Sequence, residues 1–132
     1  MVKKWIIVII VTIILIAGCV WESMFLNNSF DYLEDSLYKY KAQIEVCEES
    51  ELNNQENILY VQNLHDTWHE KMVVLKSLVW HSGIKEIEIG LSRIESYVKE
   101  KEKTETLAEL NALIDYIEHY SEDFNISIEN IL

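Results

Sequence analysis

The chain has 132 residues, no proline and only three glycines, Gly18, Gly83 and Gly90. A β-rich domain of this size needs many tight turns built from those residues, so the composition leaves long helices with few connections. The formal net charge is −12, and all 23 acids but only 9 of the 11 basic residues lie after Trp21, which leaves −14 on that part. Such a surface repels nucleic acid phosphate and anionic lipid head groups. That excludes nucleic acid and leaves cations, basic surfaces or another membrane protein as partners, beside a plain solubilising role for the charge.

Lys3 and Lys4 precede an uncharged run of 17 residues from Trp5 to Trp21, and Glu22 is the first acid. A spanning helix takes about 20 apolar residues, with about 17 as the lower limit. Met24, Phe25 and Leu26 can extend the run, because Glu22 and Ser23 can lie among the head groups. Trp5 and Trp21 match the interfacial aromatic belt, and the two lysines hold the N-terminus in the cytoplasm. Residues 1–26 therefore read as a single-pass anchor, with residues 27–132 outside the cytoplasm.

The same residues also fit a secretory signal, with a basic start, an apolar run to Leu15 and small residues before Cys19. Ile16-Ala17-Gly18-Cys19 has the form of a bacterial lipoprotein cleavage site, which makes Cys19 a lipidation candidate. Two or more acyl chains would hold the cleaved protein firmly. Val20-Trp21 departs from the polar tether expected after such a cysteine. Both readings place the rest of the chain on the same side. The only other cysteine is Cys47. Two cysteines make no disulfide framework, so Cys47 is expected to pack as a small apolar side chain.

Four stretches carry helical periodicity. Phe30, Leu33, Leu37, Tyr40, Ile44 and Cys47 alternate spacings of three and four. Ser29 is placed to cap that helix, which either breaks near Asn27-Asn28 or continues from the anchor, and ends in the polar stretch 48–54. A second helix is expected from about Glu56, with Val61, Leu64, Trp68, Leu75 and Val79 as its stripe and Met72 beside it. His81-Ser82-Gly83 reads as a break, with glycine at a helix C-terminus and serine as an N-cap; a kink in one long helix is the alternative. The third stripe is Ile84, Ile87, Leu91, Ile94 and Val98, followed by the charged stretch 99–103. Thr104 is expected to cap a fourth helix striped by Leu107, Leu110, Ile114 and Ile117, with Glu105 favouring the positive end of its dipole. After Tyr120 the pattern fails, and 125–132 is expected to be a tail docked through Ile126, Ile128, Ile131 and Leu132. The expected fold is all-α: a transmembrane or signal helix, then a small antiparallel bundle of three to four helices.

Few residues suggest chemistry. His65 and His69 are four apart, a spacing that can place two imidazoles on one metal. Structural and catalytic zinc sites use three or four protein ligands, and two half-exposed helical histidines are the competing reading. Trp68 and Trp80, with His81 beside the latter, are either core aromatics or a patch that docks a partner. Glu34, Asp35, Glu45, Glu48, Glu49 and Glu51 form an acidic sector without the ligand spacing of a calcium loop. There is no glycine-rich phosphate loop and no Gly-x-Ser-x-Gly elbow, so neither an enzyme nor a bound cofactor is expected.

The anchor ending in Trp21, the stretch Trp68 to His81, Ile84-Lys85-Glu86-Ile87-Glu88 with Leu91-Ser92-Arg93-Ile94, Leu107-Ala108-Glu109-Leu110 and the close Asn130-Ile131-Leu132 together resemble DUF4363. This is a domain-of-unknown-function family of short bacterial, Firmicutes-type proteins. Gly83 stands where that pattern leads one to expect an acid. The resemblance implies a single anchor and a helical domain, with no activity and no catalytic residues. The expected function is a structural or interaction module for a membrane protein or a second copy of the chain. The alternative is a divalent-cation-binding or sensing domain using His65, His69 and acids.

Overall fold

The computed structural model of the chain describes residues 1–75 and 82–131, with side chains at 1–74 and 83–122. Helix α1 spans Val2–Val46, and at 1.5 Å per residue its 45 residues extend about 67 Å. A 3₁₀ turn at Glu49–Glu51 leads to α2, Gln55–Leu75. Helix α3 is Ser82–Lys99 and α4 is Lys103–Ile131; no strand occurs among the described residues.

The apolar run does not end in a break at Asn27-Asn28. It continues as helix into the domain, so Ser29 has no free helix start to cap. Its hydroxyl instead donates back one turn to the Phe25 carbonyl, at 2.7 Å. From Leu26 onward α1 changes character. Its first 20 residues are exposed on every side, whereas Leu26, Phe30, Leu33, Leu37, Tyr40 and Ile44 form one buried stripe.

The helices form a ring in which α1 packs on α2 and α4, and α3 closes the far side against both. Contacts along each seam run in opposite directions. Tyr40 Oη donates to Asn57 O and Tyr60 Oη to Ser36 O, while Gln62 meets Glu95 and His69 meets Glu88. Arg93 meets Glu109, and Tyr38 meets Glu118. The result is an up-down-up-down bundle.

The core follows the sequence stripes. All five expected α3 residues are buried, as are Val61, Leu64 and Trp68 on α2 and Leu110, Ile114 and Ile117 on α4. Met72 is fully buried within the stripe rather than beside it. Leu107 and Cys47 are half-buried, and Leu52 and Leu113 join the core unannounced. The Leu75 side chain and Val79 lie outside the described residues. The expected docked tail is instead helix: α4 continues to Ile131, through a stretch with neither glycine nor proline to stop it. The side chains of Ile126, Ile128 and Ile131, and all of Leu132, are not described.

The helix ends also differ in detail. Asn54 caps α2 by accepting the Asn57 backbone N–H at 2.8 Å. Thr104 caps nothing, because α4 begins one residue before it. The α3–α4 turn closes as a Schellman motif, with Glu102 N–H on Tyr97 O at 2.9 Å and Lys101 N–H on Val98 O at 3.2 Å. Lys101 takes the left-handed position, with φ 61°. Gly83 does not end a helix in a left-handed conformation. It lies in the first turn of α3, where a Cβ would overlap the Tyr120 ring, 2.8 Å from Cζ. At Gly90 a Cβ would meet the two Leu113 methyls, at 2.9 and 3.3 Å, with Glu109 Oε1 at 3.6 Å, all of them ends of flexible side chains.

One polar network ties the other end of the bundle. Asn57 is 1% exposed, accepts from Gln43 Nε2 at 2.6 Å and donates to Leu52 O at 2.9 Å. Lys103, at the start of α4, donates to Glu45 O and Cys47 O at 3.1 and 2.6 Å, satisfying carbonyls at the end of α1.

Four outcomes follow for urea unfolding of the purified chain. Asn57→Ala is expected to lose about 2–3 kcal/mol, because buried partners are left unpaired. Lys101→Gly is expected to gain about 0.5–1 kcal/mol by relieving the left-handed strain. Gly83→Ala is expected to lose about 1–3 kcal/mol by overpacking, while Gly90→Ala stays near parent stability, since a leucine methyl can move and alanine favours helix.

Candidate functional site

The largest feature that the fold leaves uncovered is the first half of α1. Its most apolar 18-residue window has a mean hydropathy of 2.5, and none of it is buried by the rest of the protein. A single helix of this kind is compatible with a single-pass membrane anchor or a signal. Cys19 lies in it, exposed, within an unbroken helix. Trp21 stacks on Phe25 with ring centroids 5.5 Å apart, where the uncovered half gives way to the bundle.

His65 lies half-buried in an open groove between α2 and α3, lined also by Lys85, Glu88, Ser92 and Arg93. His69 is exposed, and its Nδ1 lies 2.9 Å from Glu88 Oε1, so the imidazole bridges the two helices. Among the described residues no group of three metal-ligating side chains converges. Trp68 is 1% exposed and packs against Phe30, with centroids 5.7 Å apart, so it sits in the core. Trp80 and His81 lie outside the described residues.

The acidic sector separates into two parts. Asp35, Glu45, Glu48, Glu49 and Glu51 are exposed. Glu34 faces Glu118 across the α1–α4 seam, and Tyr38 Oη donates to Glu118 Oε1 at 2.6 Å. Partial burial, then the hydrogen bond and charge of Glu118, and then Asp31 and Asp35 raise the Glu34 carboxyl above its ordinary value. The hydrogen bond to Glu118, followed by desolvation, pushes the Tyr38 phenol up to about 12. The α1 periodicity places Glu34 beside the stripe, but nothing in the sequence pairs it with Glu118, 84 residues on.

A carboxyl whose folded pKa is raised stabilises the fold below its unfolded value, and that contribution is lost as pH rises through the folded pKa. Glu34→Gln is therefore expected to raise the melting temperature at pH 7 and to make little difference below the ordinary carboxyl value of 4.5. Thermal unfolding across pH 3.5–8 checks this.

No curated protein and no solved structure matches the chain. A family model does, over residues 20–131, which takes in the whole bundle and leaves most of the apolar run outside. The chain therefore belongs to DUF4363, a family described as a domain of unknown function.

Proposed function

We propose that the chain is an uncleaved, single-pass membrane protein whose residues 27–132 form an extracytoplasmic interaction module. Its partner is another membrane protein or a second copy of the chain. The observation that carries this reading is the continuity of α1 from the uncovered apolar half into the bundle core. Lys3 and Lys4 before the run favour a cytoplasmic N-terminus. Cleavage at Cys19 would leave only six residues between the acylated cysteine and buried Leu26, already helical, with no polar tether. That favours the uncleaved form over the lipid-anchored one.

A rigid connection suits an interaction role. A bundle continuous with its own anchor has a fixed tilt and height, so it meets a lateral neighbour in the same membrane with the same face each time. Less orientational freedom is then lost on binding. The reading assigns no catalysis.

Intact mass measurement of the membrane-extracted chain is expected to give the full 15.6 kDa. A species beginning at acylated Cys19 would overturn the uncleaved anchor. Crosslinking in native membranes is expected to give one defined complex; recovery only as an unassociated monomer would overturn the interaction role.

A further inference from the structure

The geometry points to a second contact between this chain and the bilayer: Val73 and Val74 of α2 rest in the outer head-group layer beside Met24. This rests on the anchor reading above. A hydrocarbon core about 30 Å thick takes 20 residues of helix at 1.5 Å each. Counted from Trp5, beside the two lysines, that length reaches the level of Trp21 to Met24, where Glu22 and Ser23 lie among the head groups.

The seam between α1 and α2 sets the depth of α2. Phe30 meets Trp68, and the Tyr40–Asn57 and Ser36–Tyr60 hydrogen bonds keep nearly the same register. Counting one residue back along α1 for each residue forward along α2 brings Val73 and Val74 opposite Phe25 and Met24.

The side chains at that level match such an environment. Val73 and Val74 are 55% and 51% exposed, although they are apolar and follow the buried Met72. Met24 and Trp21 are exposed on the neighbouring helix. Glu22 is half-buried, with Oε1 fully covered by the protein. Lys71, one turn above the valines, directs its ammonium away from this level, 4.2 Å from the Tyr32 ring centroid. Apolar side chains held at a head-group boundary are the pattern of an interfacially seated helix.

Quenching in vesicles tests this on the full chain. Cys19→Ala and Cys47→Ala remove the native thiols. Single cysteines are then placed by Ile13→Cys, Leu59→Cys, Val73→Cys or Val74→Cys, labelled with an environment-sensitive fluorophore and reconstituted in phosphatidylcholine. All four sites are exposed, so the core is left intact, and circular dichroism verifies the fold of each variant.

Lipid-borne nitroxide is expected to quench the labels at 13, 73 and 74, and aqueous iodide the label at 59. Lipid quenching at 13 with iodide quenching at 73 and 74 would overturn the second contact and leave the anchor standing. Protection at 73 and 74 from both quenchers would mean that a protein covers the face, and would overturn it equally. Iodide quenching at 13 would overturn the anchor, and the contact with it.

Discussion

One helix with two kinds of surface is the constraint on which the rest of the structure depends. Over its first 20 residues α1 is apolar all round and covered by nothing. From Leu26 to Ile44 the same helix narrows to a single buried stripe. An all-round apolar helix suits hydrocarbon, and a striped one suits a bundle in water. The change occurs with no intervening loop, so both helices that pack on α1 are aligned with the axis of its apolar half.

The two ends of the bundle are fixed by different physics. Near the apolar half the contacts are aromatic: Phe30 packs against Trp68 and edge-on to Tyr120, whose ring also takes the space that Gly83 leaves open. At the far end the contacts are polar. Asn57 accepts hydrogen bonds from α1 and donates one to the connection, and Lys103 holds the last carbonyls of α1. Aromatic burial supplies area, while a satisfied polar network specifies register.

Much of this was legible in the sequence because the apolar spacing is regular. Each described stripe residue is buried or half-buried as its position demands. What was not legible depends on tertiary context. Ser29 has the chemistry of a cap but follows a helix that is already formed. Gly83 looks like a terminator, yet the ring of Tyr120 demands a residue without a Cβ. Asn57 is an ordinary polar residue by pattern, and only the folded connection surrounds it with partners. The sequence candidates for chemistry fare differently from one another. His69 reaches Glu88 and Trp68 enters the core, while Glu118, which no local spacing picks out, completes the pair with Glu34.

The ring order of the helices has a consequence for how the chain assembles. Three of the four seams join consecutive helices and close over short separations in sequence. The fourth joins α1 to α4, and the Tyr38–Glu118 hydrogen bond across it spans 80 residues. Loop-closure entropy rises with that separation, and non-local pairings slow folding. A first helix retained in a bilayer changes the problem. The remaining three helices then search over a fixed surface for a partner whose position and direction are already set, rather than through solution for a moving one.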